Sequence, residues 1–180
     1  FKAEQLYKAK QLKKAGKNYH LVGNLLLKLD EFEEAKDCFM NSAKIFMEMG
    51  RFDTSVELFR QSGEACLHAN KFKDANLIYK EALNFIPKLK SEGDRNSNYI
   101  IFSVLSYMCS YVKGTPNEGL EFLKRTSKKI GKEFFKEHQL IKLVSEITLA
   151  LRDNESKYVK KIKDDIGIYK FREAELKLLK

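Results

Sequence analysis

Tryptophan is absent from this chain of 180 residues, proline occurs twice and cysteine three times. Two prolines leave little punctuation for the many turns of an all-β fold and suit long helices with short connections. No run of ~18 uncharged apolar residues is present, which excludes a membrane-spanning helix. The three cysteines, Cys38, Cys66 and Cys109, are an odd number with no C-x-x-C pair among them. They read as small buried thiols of a reducing compartment. The opening Phe1-Lys2-Ala3-Glu4 carries neither a start methionine nor a basic-then-apolar leader, so the chain reads as the ordered part of a longer one.

What is present points to an ordered, charged, helical protein. At 43% hydrophobic and 12% aromatic, the chain is too rich in core-forming residues for a disordered segment and has one domain's worth of length. The net charge of +9 is polarised. Residues 1–29 hold seven lysines and one acid, residues 30–85 seven basic and eleven acidic residues, and residues 86–180 twenty basic against thirteen acidic. Such an excess favours an acidic partner: nucleic acid, anionic lipid or an acidic protein surface.

An internal repeat decides the fold class. Phe32, Phe52 and Phe72 lie twenty residues apart, as do Phe39, Phe59 and Tyr79, Ala35, Ser55 and Ala75, and Ser42, Ser62 and Ala82. Each unit starts just after Asp30, Gly50 or Asn70, residue types that tolerate a left-handed backbone and end the preceding helix. Inside a unit, small-x-x-x-aromatic-x-x-small places three side chains on one helical face, where a neighbouring helix can approach while the ring fills the gap. Helices of this length on short turns must pair antiparallel and stack. The expected fold is all-α: a right-handed superhelix of antiparallel hairpins with a C-terminal helical bundle.

Around this core the spacing predicts one helix from Phe1 to Ala15 ended by Gly16, and another from Tyr19 to Leu29. The third clear unit runs from Phe72 to Ile86 and stops at Pro87, so residues 1–86 form the repeat region. Lys88 to Ser97 reads as a polar connection, and residues 98–180 as the bundle, opening with an apolar helix from Asn98 to Val112. Thr115-Pro116-Asn117-Glu118 combines an N-cap, a proline at the first helical position and a capping-box glutamate. That helix should run to about Lys129, with a break at Gly131. Further helices are expected over 137–151, 155–165 and 169–179.

No P-loop, Gly-x-Ser-x-Gly or His-Glu-x-x-His motif occurs, and His20, His68 and His138 stand in no motif. Cys66-x-His68 would need two more ligands to hold zinc and reads as a buried thiol near a helix-end histidine. The aromatic columns sit where a helix must pack, which disfavours a base-stacking platform for nucleic acid. The chain is expected to be no enzyme and to need no cofactor or metal. The basic runs remain. Lys124, Arg125, Lys128, Lys129 and Lys132 gather at a helix end, where cations suit the dipole. Lys157, Lys160 and Lys161 form one stripe, where like charges repel unless something acidic lies opposite. Both clusters are candidate partner-binding sites.

The small-x-x-x-aromatic-x-x-small helix resembles the second helix of a tetratricopeptide repeat, although a hairpin of two twenty-residue units is longer than the usual ~34 residues. Hairpins of this length are similar to those of the soluble N-ethylmaleimide-sensitive-factor attachment proteins. Met49-Gly50-Arg51-Phe52-Asp53-Thr54-Ser55-Val56-Glu57-Leu58-Phe59 is close to that family's middle, Tyr99 to Val112 to its apolar helix, and Leu143 to Tyr158 to its later L-x-x-A-x-x-x-x-D-x-x-x-Y/F arrangement. The resemblance covers roughly residues 19–180; the family's N-terminal repeats, its membrane-attachment loop and its acidic C-terminal tail are not seen. It implies a cytoplasmic, non-catalytic adaptor, peripheral at membranes, that grips acidic SNARE-type bundles and links them to a disassembly ATPase. Phe171, Leu176, Leu178 and Leu179 would be the ATPase contacts. The compact helical-repeat partner that docks inside huntingtin shares much of the pattern, so a scaffold subunit buried in a larger assembly is the second reading.

Overall fold

The computed structural model describes residues 2–132 together with Phe135, His138, Ile141, Lys142, Val144, Ser145 and Glu175. Among these the chain is all-helical, with no strand: α1 (Lys2–Lys8), α2 (Leu12–Lys28), α3 (Phe32–Glu48), α4 (Phe52–His68), α5 (Phe72–Ala82), α6 (Glu92–Val112) and α7 (Pro116–Ile130). A 3-10 turn, Ile86–Lys88, bridges α5 and α6. No helix among the described residues is long and apolar enough to cross a membrane. Of the helices expected over 137–151, 155–165 and 169–179, only His138, Ile141, Lys142, Val144, Ser145 and Glu175 are among the described residues, and the rest lie outside them.

The turn chemistry repeats four times. Lys10, Asp30, Gly50 and Asn70 have φ of 55°, 60°, 68° and 57°. The residue after each returns its N–H to a carbonyl five positions earlier: Gln11 to Leu6 at 2.9 Å, Glu31 to Leu26 at 3.0 Å, Arg51 to Phe46 at 2.8 Å and Lys71 to Cys66 at 2.8 Å. This long-range closing bond satisfies a carbonyl that the helix end leaves open. Asp30, Gly50 and Asn70 thus end helices as their residue types predict. Lys10 does so without any such signal.

That fourth turn corrects the reading of the N-terminus. The break falls at Lys10, and α2 runs unbroken through Gly16. Gly16 is not a helix terminator but a contact: a Cβ there would stand 3.0 Å from Cε2 of Phe46. Two boundaries further on also differ. α5 ends at Ala82, and Pro87 sits within the 3-10 turn instead of stopping a helix at Ile86. α6 starts at Glu92, inside the expected polar connection, because Ser91 accepts a hydrogen bond from the Asp94 N–H at 3.2 Å and caps it. Pro116 opens α7 as expected, yet Thr115 makes no side-chain cap. Its hydroxyl donates to the Ser110 carbonyl at 3.3 Å.

Extensive packing runs between helices consecutive in sequence, from α1 on α2 through to α6 on α7. Phe32, the first residue of α3, stacks on His68, the last of α4, with centroids 5.2 Å apart. The two helices therefore run in opposite directions. Twenty residues on, Phe52 at the start of α4 meets the ammonium of Lys88 at 5.0 Å. Ala35, Phe39, Ser42, Ser55, Phe59, Ser62, Ala75, Tyr79 and Ala82 are all at 0% exposure, as the small-aromatic-small pattern predicts.

Two hydroxyls carry the same register. Ser42 donates to the Gly16 carbonyl of α2 at 2.8 Å, and Ser62 to the Lys36 carbonyl of α3 at 3.1 Å. Both positions advance by one repeat. Beyond the repeat, α6 buries every residue from Phe102 to Ser110. Asn76 ties it to α5, donating to Ser110 Oγ at 3.1 Å and accepting from Ser106 Oγ at 2.6 Å. Gly119 lets α7 close on α6, because a Cβ would stand 2.6 Å from the Tyr107 Cα.

Candidate partner-binding surface

Helix α7 carries four of the expected partner-binding residues, and its geometry divides them. The apolar side of the helix, with Leu120 and Leu123, faces Phe135, Ile141 and Val144 across a groove of about 810 Å³. Lys124, Arg125, Lys128 and Lys132 form a basic rim to this groove. Lys129 points away from it, toward α6, its ammonium 4.9 Å from the Tyr99 ring centre. The run of cations that looks uniform in sequence is thus shared between two surfaces, because successive residues on a helix diverge by about 100°.

Lys124 pairs with Glu121 one turn back at 2.9 Å, and that hydrogen bond holds the exposed Glu121 carboxyl below its ordinary pKa. Among the described residues, no carboxylate lies within ion-pair distance of Arg125, Lys128, Lys129 or Lys132. The groove therefore presents an apolar floor with a border on which, among the described residues, four cations stand against one carboxylate, Glu121. Such a surface suits an amphipathic helix with acidic flanks.

The chain matches no protein-family model, no curated protein and no solved structure.

Lys157, Lys160, Lys161, Phe171, Leu176, Leu178 and Leu179 lie outside the described residues. Of the cysteines, Cys66 and Cys109 are buried as expected, whereas Cys38 is half-buried. That corrects its reading as a core thiol: it lies at the edge of the packed face of α3, beside the fully buried Phe39. All three thiols are free. Burial pushes Cys66 and Cys109 up to about 12. His68 is held in its stack on Phe32, and no group of three or more His, Cys, Asp or Glu among the described residues could hold a metal ion. The column of Phe39, Phe59 and Tyr79, at 0% exposure, offers no face to a base.

Two contributors escaped the sequence reading. Lys80 of α5 reaches the α7 surface, its ammonium 4.6 Å from the ring centre of Phe122 and 3.7 Å from Glu118. Arg60 of α4 meets Glu175 through two bonds, Nε to Oε1 at 2.7 Å and Nη2 to Oε2 at 2.6 Å. Glu175 is at 0% exposure, so the bidentate pair is shielded from water. Neither contact has a sequence signal, since 115 residues separate Arg60 from Glu175.

Proposed function

We propose that the chain is a non-catalytic helical-repeat adaptor that grips an acidic helical protein partner. The observation that carries this reading is the groove on α7, with its apolar floor and basic rim of Lys124, Arg125, Lys128 and Lys132. An acidic amphipathic helix would bury its apolar stripe on Leu120, Leu123 and Val144 while its carboxylates meet the rim. Charge complementarity of this kind speeds encounter and fixes register more than it adds affinity.

The finer architecture of the proposal is a right-handed superhelix of hairpins. The repeated register supports it: left-handed turns at 10, 30, 50 and 70 and the paired bonds of Ser42 and Ser62 recur at one spacing. In such a stack each hairpin contacts only its neighbours. Together with the resemblance to the attachment proteins, this leads to a cytoplasmic adaptor, peripheral at membranes, joining SNARE-type bundles to their disassembly ATPase. The lysines at 157, 160 and 161 would extend the grip, and Phe171, Leu176, Leu178 and Leu179 would meet the ATPase.

The deciding experiment is reconstituted disassembly of a fusion-protein bundle by the ATPase with ATP and the full chain. Stimulation that disappears when Lys124 and Lys128 are both changed to Glu supports the reading. No stimulation by the unaltered chain rejects the fusion role.

A second reading, a scaffold subunit of a larger assembly, is favoured by one observation. Leu21 and Leu25 of α2 and Leu29 just after it are at 62%, 53% and 70% exposure, although Ile45, one repeat after Leu25, is buried. An obligate subunit exposes apolar area of this kind before assembly. Isolation of the chain in a stoichiometric complex, with these leucines protected from solvent, would favour it over the adaptor.

A further inference from the structure

A second cavity lies on the opposite side of α7 from the groove. It measures about 440 Å³ and opens between the end of α5, the start of the buried part of α6 and α7. Three cations converge on it from two helices: Lys80, Arg125 and Lys129. Each is held over an aromatic ring. Lys80 Nζ and Arg125 Cζ stand 4.6 and 5.7 Å from the centre of Phe122, and Lys129 Nζ stands 4.9 Å from that of Tyr99.

The charge balance is unusual for a surface cleft. Among the described residues, Glu81 is the one acid that lines it, and Glu118 approaches Lys80 from outside at 3.7 Å. Among the described residues, Arg125 and Lys129 pair with no carboxylate. Ring faces hold an exposed cation by only about 0.5–1 kcal/mol. They orient the three cations without neutralising them, whereas charge-assisted bonds to an oxyanion are about twice as strong as neutral ones.

We propose that this cleft is a binding site for a phosphate monoester carried on an apolar or planar body. A phosphate monoester brings a charge of about −1.5 to −2 at neutral pH, opposite in sign to the excess that Lys80, Arg125 and Lys129 keep over Glu81 and Glu118. The guanidinium of Arg125 offers paired donors to two phosphate oxygens, and the ammonium groups of Lys80 and Lys129 act as point charges beside it. The cleft exceeds what a bare phosphate fills, and Tyr99, Phe122 and Leu83 line the remainder with apolar surface. The site goes beyond the adaptor reading and does not depend on it, since Lys80, Lys129, Tyr99 and Phe122 take no part in the groove and Arg125 alone borders both.

The test is titration of the full chain with phenyl phosphate and with inorganic phosphate at low ionic strength, followed by calorimetry. Saturable 1:1 binding is expected, with phenyl phosphate at least fivefold tighter. Lys129→Ala and Lys80→Ala should each weaken it about tenfold, and Lys124→Ala and Lys128→Ala, on the groove side, should leave it unchanged. Equal loss with all four variants would show a diffuse field and overturn the site, as would absence of saturable binding or equal affinity for the two probes. Circular dichroism of each variant separates lost binding from lost fold. A phosphoserine peptide and a free nucleoside monophosphate, competed against phenyl phosphate, distinguish a modified protein from a small molecule as the source: the stronger competitor identifies it, and no competition by either overturns the proposal.

Discussion

The ring of Phe39 rests on Gly23 of the preceding helix so closely that a Cβ at Gly23 would stand 2.8 Å from Cε1 of the ring. Forty residues on, Gly63 and Tyr79 repeat the relationship, again sixteen apart, with no room for a Cβ. Ala43 and Phe59 occupy the corresponding positions between them. The aromatic column is therefore accommodated by a second column of small residues on the helix before it.

Alanine at Gly23 or Gly63 should destabilise the chain, although alanine is the better helix former by about 1 kcal/mol. Overpacking of a buried ring costs about 1–3 kcal/mol and must exceed that gain. The control is Gly93, in the first turn of α6, where a Cβ meets nothing nearer than Ser91 Oγ at 3.7 Å. Gly93→Ala should raise stability by a few tenths to about 1 kcal/mol. Urea denaturation of the three variants checks the difference in sign.

Ser42→Ala and Ser62→Ala should each cost about 0.5–1.5 kcal/mol, the net value of a lost hydrogen bond. Because the two hydroxyls bridge different helix pairs, the double variant should lose close to the sum. A shortfall of more than about 0.5 kcal/mol would reveal coupling along the array. Equilibrium denaturation with a constant denaturant slope is the appropriate measurement.

Arg60→Ala should be among the most damaging single changes, at about 3–5 kcal/mol, because it removes the bidentate cation from a fully buried carboxylate. Arg60→Met combined with Glu175→Leu should recover most of the loss, since replacement of both charges by apolar volume removes the desolvation penalty. Thermal melts of the single and double variants decide this.

Cys38 should react with an aromatic disulfide reagent in the native protein, and Cys66 and Cys109 only after unfolding. The raised thiols also make stability fall at alkaline pH. Between about pH 9 and about 12 the two native thiols keep their protons while the unfolded chain releases them. The unfolded state then binds fewer protons, and stability declines as pH rises. Changing both to Ser or Ala should flatten that alkaline limb of a stability profile.

The repeat register was legible because packing writes itself into sequence at fixed intervals. Phe39, Phe59 and Tyr79 announce the buried face, and Asp30, Gly50 and Asn70 announce the turns. Gly16 misled for a physical reason: the same missing Cβ serves a left-handed turn and a close helix contact, and only the neighbour, Phe46, distinguishes them. Lys10 was invisible because the closing bond from Gln11 to Leu6 is made by backbone, whatever the side chain. Ser91 was legible in principle, since Ser-Glu-Gly-Asp is a capping sequence, but its position inside a polar stretch concealed it. On the candidate surface, the cations of α7 could be named from sequence. Their division between groove and cleft could not, because it depends on Lys80 and Tyr99 arriving from other helices.

Packing that runs from each helix to its sequence neighbour also shapes how the molecule yields under load. Among the described residues, force pulling the helices apart in order would load the contacts between sequence neighbours pair by pair. The register bonds of Ser42 and Ser62 then act as successive stops, one resisting slippage of α3 on α2 and the other of α4 on α3, so that loss of one would loosen a single helix pair and leave the next in register.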